Sequence, residues 1–593
     1  MLFRQIISAS LLTTAFGAVA NAQSSAQQPV KLTGIETKIE LIRTGKLPSP
    51  ANAFSSLAKP KKFKIREGIE RDLVAARKST ISSGFASTFS ALQNPNPSPS
   101  TVVGPEPTFF GFPGLTSFDL GITTGFVLEP PDQGLAVANG FVFEAINDIL
   151  GLYDTSGVLV AGPAYINDFF GLPFEAFGSD PKVYFDHELQ RWFISIVELD
   201  VDPNTGDLTG RSHVYFAVST SQDPLALFNI YAIDTTNDAS LGTPAHPGCP
   251  CFGDQPLIGA DKYGFYISTN EYSIFGPSFN GANIYALSKE SLALGTLPTP
   301  ILFSGLPLAE AVGYSVKPAI SLGFQNEHPS GLEYFVSALD FFGTLDNRIA
   351  VWAMLNTSSL SSVHPHPILT NQIITSQVYG QPPPARQKPG PFPLGMSLCE
   401  KLEYLNSNDD RMNQVVYENG KLWSGLNTIV GGYDGKAVRA GIAYFVVDPG
   451  VNGGVLTATI TKQGYVAAPG KDSVIFPAIG ATPDGRAAMV FTLVGPTPTP
   501  AFLFSDVFYP SMAFTTLSAT SGTGDIQLGG AGYAPEDGFS GYPEFGGDGV
   551  ARWGDYSAAV ADTDGSIWMA TEWIPNTPRT EYTNWGTFIG QLR

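Results

Sequence analysis

Carboxylate and amide side chains recur along this chain at the starts of short apolar strands: Asp132, Asp180, Asp254, Asn413 and Asp555. A second set, Asp148, Glu198, Asn270, Glu271, Asp340, Asn427 and Glu572, stands where the following strand ends. Brought together, such groups suit three kinds of chemistry. Carboxylates accept hydrogen bonds from sugar hydroxyls, and aromatic rings such as Tyr272, Phe275, Phe341, Phe342 and Trp573, in the loops beyond the second set, stack on the CH face of a sugar. Oxygens from several loops also satisfy Ca²⁺. Two carboxyls about 5 to 9.5 Å apart cleave glycosidic bonds. With at least eight acids available, the sequence selects no catalytic pair. Any single Asp or Asn at a strand start reads as a turn residue serving backbone N–H groups. The face that collects them reads as the ligand site.

A repeated hairpin must position these groups. Its fullest copy is Gly253 to Tyr272, where Asp254-Gln255 opens a short strand, Lys262-Tyr263-Gly264 turns it, and the return strand ends in Asn270-Glu271. Copies lie at 132–148, 180–198, 413–427 and 555–572, with weaker ones at 317–340 and 474–493, seven in all. Second strands are expected to start at Phe141, Trp192, Phe265, Leu332, Leu422, Arg486 and Ile567. Repeats of this length suit four-stranded blades, and a single blade cannot bury both of its faces. The expected fold is all-β: a seven-bladed β-propeller over 107–593. Its last unit lacks a fourth strand after Trp585 to Leu592, so a segment between Thr108 and Val127 is expected to supply it. In such a ring the strand-start acids converge on one mouth, joined by Arg411 and Arg552 as counter-ions.

Residues 1–22 carry Arg4, an apolar run and Ala20-Asn21-Ala22, the order of a secretory signal peptide. No later stretch is apolar and long enough to span a membrane. The expected location is therefore secreted, extracellular or periplasmic. Residues 23–106 form a basic region ending in a Pro/Ser-rich linker. From Lys31 to Lys78 there are 12 basic and 5 acidic residues, against 20 and 48 from Thr80 onward. This region is expected to be partly helical, with short helices at Leu41, at Phe63 and over Glu67–Ala76, or disordered. It reads as a spacer or as a basic arm folded back on the acidic domain.

A net charge of −20 argues against nucleic-acid binding. None of the six histidines forms a zinc pattern, and no nucleophile elbow or phosphate loop occurs. Asp200 to Asp207 has the oxygen-rich composition of a Ca²⁺ loop, but its Gly206 stands one place late, and a plain hairpin loop is the simpler reading. Three cysteines leave one odd. The expected bridge runs from Cys399 to Cys249 or Cys251, with a metal site of these thiolates and His246 as the alternative and three free thiols after that.

The turn at Asp562 to Trp568, DTDGSIW, is similar to the Asp-box of secreted sialidase-like propellers, and the units as a whole resemble them. Gly565 directly follows Asp564, and no Ser or Thr stands two places before the Asp, which departs from the box. CPCFGDQPLIGAD, NDDRMNQVVYENGKLW and ARWGDYSAA resemble a widespread group of exported propellers to which no activity is attached. The resemblance covers about 130–593 and implies the fold. A sialidase would need three arginines on the ligand face. Arg411 and Arg552 are well placed, whereas Arg191, Arg348 and Arg486 fall in strands or opposite-face turns. Two functions follow as expectations: a binding protein for an extracellular glycan or surface partner, or a carbohydrate-active hydrolase or lyase working through paired carboxylates. The ligand candidates are Asp132, Asp180, Asp254, Glu271, Tyr272, Arg411, Arg552, Asp555, Glu572 and Trp573.

Overall fold

The computed structural model describes residues 30–49, 63–66, 92–323, 328–431, 438–496 and 508–593. The expected leader over 1–22 and the helix expected at Glu67–Ala76 lie outside the described residues. The chain is mostly β. Strands form because β-branched and aromatic residues alternate between turn signals, and most hairpin turns contain a Gly, Asn or Asp.

Among the described residues seven groups of mainly antiparallel strands follow one another, the fourth and fifth joined into one sheet by a parallel pairing of Ala319-Ile320 with Val415-Val416. The first is Gly134–Ala138, Phe141–Ile146, Ile149–Asp154 and Leu159–Tyr165. The second is Phe177–Asp186, Arg191–Val201, Leu208–Ser219 and Phe228–Asp234. The third begins with Cys251–Ala260 and Gly264–Ser273, the fourth with Lys317–Ile320 and Leu332–Ala338, the fifth with Met412–Glu418 and Lys421–Val430. The sixth begins with Ser473–Ala481 and Ala487–Val494. The seventh has Ala558–Ala561, Ile567–Trp573 and Gly586–Leu592. All seven second strands start within one residue of their expected positions.

The first strands lie side by side in chain order, and that of the seventh group lies against that of the first. The approach is close. A Cβ on Gly134 would stand 2.9 Å from the Pro181 carbonyl oxygen, and one on Gly259 would stand 2.4 Å from Pro318 Cβ, so neither position admits a side chain without movement of its neighbour. Between groups the sheet faces interleave large apolar side chains: Phe193 stacks on Phe265 with centroids 4.6 Å apart, and Phe109 on Phe514 at 4.8 Å. The strand sought between Thr108 and Val127 is Phe109–Thr116, which pairs antiparallel with Gly586–Leu592. The other segment considered for that place, from Phe118, is a helix, Ser117–Thr124, started by a capping box between Thr116 and Asp119.

The described part of the N-terminal region is neither helical nor a free spacer. Lys31–Thr33 pairs with Ile368–Gly380 of the fourth group, Ile35–Glu36 with Ile301–Phe303 of the third, and Glu40–Gly45 with Phe228–Asp234 of the second. Each adds an outer strand to a different group, so the segment runs as a belt across three exposed sheet edges. The physical reason is that an outer strand leaves backbone N–H and C=O groups unpaired, and any extended segment satisfies them whatever its charge. Val102–Val103 of the linker likewise pairs, in parallel, with Ile526–Gly530 of the sixth group.

Candidate functional site

A recurring kink aims the acids. Register slips between Ser179 and Lys182 in the second group, between Asp254 and Leu257 in the third, and between Ile475 and Ala478 in the sixth. Within each slip one residue turns left-handed: Asp180 with φ 54°, Gln255 with φ 55° and Phe476 with φ 58°. Asp132 and Asp555 take the same conformation just ahead of their strands, with φ 47° and 36°. Such bulges bend a strand and redirect a side chain.

An asparagine from the preceding group holds several of these kinks. Asn147 Oδ1 accepts from the Asp180 N–H at 2.9 Å, Asn270 Oδ1 from Ser315 at 2.7 Å, and Asn427 Oδ1 from Phe476 at 2.7 Å. Asn147 also donates to Asp132 Oδ2 at 2.7 Å, tying two acids from neighbouring groups together.

The result is one pocket lined by Asp132, Asp180, Asp254, Asp555, Arg411 and Arg552, residues spread over more than 400 positions of sequence. Glu129, Asn147, Ser179, Gln255, Asn406 and Asn408 add to its polar lining. Its free volume is about 80 Å³. Pockets that enclose drug-sized ligands run to about 300 Å³ and more, so this one holds waters, an ion or the tip of a larger molecule.

Charge is unevenly neutralised there. Arg411 makes a two-point pair with Asp409, Nε–Oδ1 at 2.7 Å and Nη2–Oδ2 at 3.0 Å, so its guanidinium is oriented by a neighbour rather than by the floor. Asn408 donates to Asp555 Oδ1 at 3.0 Å. Burial and the like charges of Asp555 and Asp180 push Asp132 well above the usual carboxylate range. Burial and the Asp180 carboxylate, to which it hydrogen-bonds, do the same to Asp254. Asp132 Oδ1 and Gln255 Oε1 are buried without a hydrogen-bond partner. Two acceptors of that kind invite a donor hydroxyl or a cation. Among the described residues, however, the pocket acids form no set of three whose oxygens all lie within 4.8 Å of one another.

A second pocket is lined by Lys182, Lys317, Asn413 and Tyr556, among others. Lys182 Nζ sits 3.2 Å from the centroid of the Tyr556 ring and donates to the Gln133 carbonyl at 3.0 Å. Burial lowers its pKa to about 7, against the pull of Asp132, Asp180 and Asp555.

Four ligand candidates lie elsewhere. Tyr272 is 2% exposed, packed between Phe252 and Phe279 at 5.9 and 5.0 Å. Trp573 is 4% exposed, set edge-on to Phe588 at 4.9 Å, with its indole N–H bonded to the Thr587 carbonyl. The second strands run on through Ser273 and Trp573, so positions taken for rim loops are strand interior. Phe341 is buried too, and Phe275 stands exposed. Glu572 accepts the Gly554 N–H at 2.7 Å. Glu271 is enclosed by Asn237, His246, Asn280 and Asn283.

The expected long-range disulfide is absent. Cys249 bonds Cys251, and Cys399 is free and exposed. The turn through Pro250 folds the chain so that the two Cα atoms stand 4.4 Å apart, at the near end of the range a disulfide spans. Asp200 to Asp207 is the loop of a plain hairpin, with Asp202 accepting the Asn204 N–H at 2.8 Å. The Asp562–Ser566 segment is likewise a hairpin turn, in which Asp564 accepts from Ser566.

Sequence reasoning missed Glu129, Asn147, Gln255, Asn406, Asn408 and Lys182. Asn147 and Gln255 sit beside residues it chose, so the signal was the repeat itself. It also missed Arg66, whose Nη1 is 3.3 Å from Asp148 Oδ2. Arg66 belongs to the basic N-terminal region, and this ion pair ties that region to the first group.

No family model matches the sequence, and no curated protein matches it. Solved structures do. The chain resembles the Hadza microbial sialidase Hz136 at 10% identity and TM-score 0.32, over 77% of this chain and 74% of that one. It resembles the NanB sialidase from Streptococcus pneumoniae at 12% identity and TM-score 0.30, over 82% and 70%. An exo-β-1,3-galactanase from Clostridium thermocellum aligns at 11% identity and TM-score 0.25, over 82% and 96%. Resemblance at this level carries no activity across, and the site is read from its own geometry. In that geometry Arg411 and Arg552 line the pocket without a third arginine among the described residues. Arg348 pairs with Asp346 and Glu310, and Arg486 with Asp484, away from it.

Proposed function

We propose that this chain is an exported seven-bladed β-propeller, with residues 1–22 as its leader and 107–593 as the ring, that binds an extracellular glycan at the acidic pocket. The observation that carries the reading is the convergence of four aspartates and two arginines from widely separated units on one small pocket. Carboxylate acceptors and guanidinium donors both line it, as the hydroxyls of a sugar require. The limited volume favours recognition of a chain end or a protruding hydroxyl pair over engulfment of an oligosaccharide. The ring order of the first strands and the pairing of Phe109–Thr116 with Gly586–Leu592 support the seven-bladed architecture.

A second reading, a glycan hydrolase, is favoured by one observation: acids in the pocket differ in environment, with Asp132 and Asp254 both pushed towards their protonated forms. General-acid catalysis needs such a group beside an ionised partner. Asp180 and Asp254 share a hydrogen bond, whereas Asp132 is raised by the like charge of Asp555 among others, which makes Asp132 and Asp555 the first pair to test. Purified protein incubated with a polysaccharide panel separates the readings. Retention without new reducing ends supports binding; new reducing or unsaturated ends that vanish in Asp132→Asn and Asp555→Asn support hydrolysis or elimination. No retention and no cleavage across acidic, neutral and sulfated glycans rejects both.

A further inference from the structure

Away from the pocket, at the start of the third group, Cys249 Sγ, Cys251 Sγ and a Glu271 carboxylate oxygen all lie within 4.8 Å of one another. Glu271 is 1% exposed and is held from every side: Asn280 Nδ2 donates to Oε2 at 2.9 Å, Asn283 to Oε1 at 3.0 Å, Asn237 also bonds Oε1, and His246 Nδ1 stands 2.8 Å from Oε2. The far ring nitrogen of His246 is 3.4 Å from Ser304 Oγ. Asn280 Nδ2 also faces both sulfurs, at 3.7 and 3.6 Å. Four donors orient one buried carboxylate against a disulfide, which offers it neither a proton nor a charge. Two thiolates in the same place would repel that carboxylate unless a cation lay between them.

We propose that the Cys249–Cys251 disulfide is a closed form of a metal site that opens on reduction and takes a thiophilic divalent cation of the zinc class through both sulfurs and Glu271. The chemistry balances. A dithiol reductant gives two electrons and two protons to the disulfide, whose S–S bond breaks while the reductant's own sulfurs join. The cation then displaces the two thiol protons to solvent and binds the thiolates. Two sulfurs and one carboxylate oxygen leave a fourth tetrahedral place, open on the half-buried Cys249 side, for water. His246 is a positioning residue here: its hydrogen bond fixes the carboxylate, as outer partners do at metal sites. Soft sulfur in the set selects against Ca²⁺ and Mg²⁺.

The test uses the full chain with Cys399→Ser, which removes the exposed thiol. After reduction by a phosphine and anaerobic removal of reductant, one equivalent of Co²⁺ is expected to give sulfur-to-cobalt charge-transfer absorption and intense tetrahedral ligand-field bands, displaced by Zn²⁺. The oxidised protein serves as the folded control and is expected to give neither. Cys251→Ser is expected to abolish the charge-transfer band, and Glu271→Gln to weaken Co²⁺ binding at least about tenfold while keeping the band. Circular dichroism reports whether each sample is folded. The proposal is overturned if the reduced, folded protein takes up no Co²⁺, if the band survives at parent intensity in Cys251→Ser or in Cys249→Ser, or if Glu271→Gln binds as the parent does. Unfolding on reduction even with Zn²⁺ present also overturns it, since the site needs the fold to assemble.

Discussion

Asn427 shows what one side chain does in this molecule. It accepts from the buried Phe476 N–H and donates to the Ser407 carbonyl at 2.9 Å, so it holds the fifth and sixth groups in register. Asn427→Ala strands both groups, and urea unfolding is expected to show a loss of about 1 to 3 kcal/mol. Asp254→Asn and Asp555→Asn are the contrasting pair. If the pocket is a site, they lose glycan retention while melting within a few degrees of the parent; a large fall in melting temperature with retention intact would make these acids structural. The buried acids also set a pH dependence. Burial raises Glu129 and Glu144 to about 7 and Asp148, despite Arg66, to about 6. A carboxyl whose folded pKa exceeds its unfolded one binds more protons when folded, so its contribution is full below the unfolded value near 4 and falls as pH rises through 6 to 7. Lys182, lowered to about 7, acts in the opposite sense, costing stability below that value relative to pH 10. Thermal melts from pH 4.5 to 8 are expected to show the highest midpoint on the acid side; a midpoint rising steadily to pH 8 would contradict these shifts. At this scale the strand-start acids were legible because Asp and Asn repeat at fixed hairpin positions. The aromatic rim was misjudged because whether Tyr272 or Trp573 faces solvent depends on how far a strand continues into the space between two units, which no local pattern records.

Among the elements, the hairpins were legible almost to the residue, since period-two alternation and Gly, Asn or Asp turns are local signals. The outer strands given by the N-terminal belt were not. Residues 31–45 have only a weak strand pattern, and their partners lie about 180 to 340 positions away, so nothing near them announces the pairing. Covering an edge nevertheless has a measurable effect. Deleting residues 23–48 leaves Phe228–Asp234, Ile301–Phe303 and Ile368–Gly380 with open backbone groups, and light scattering after size exclusion is expected to show concentration-dependent self-association. A monodisperse monomer at high concentration would mean that those edges protect themselves.

For the molecule as a whole, the decisive join is between Phe109–Thr116 and Gly586–Leu592. It was legible only by subtraction, from a seventh unit one strand short. A Cβ on Gly111 would lie 2.4 Å from the Phe588 ring, so Gly111→Val is expected to lower the melting midpoint by several degrees and broaden the transition, followed by calorimetry. An unchanged, equally sharp transition would show that the join does not govern cooperativity. The join also sets a clock. Thr587 Oγ1 donates to the Leu115 carbonyl across 472 positions of chain, and at about 5 to 20 residues per second a ribosome needs on the order of half a minute to a minute and a half to cover that distance. Throughout that interval Phe109, Phe110 and Phe112 have no partner strand, and whatever keeps that segment from pairing with a neighbouring chain must act before the last strand exists.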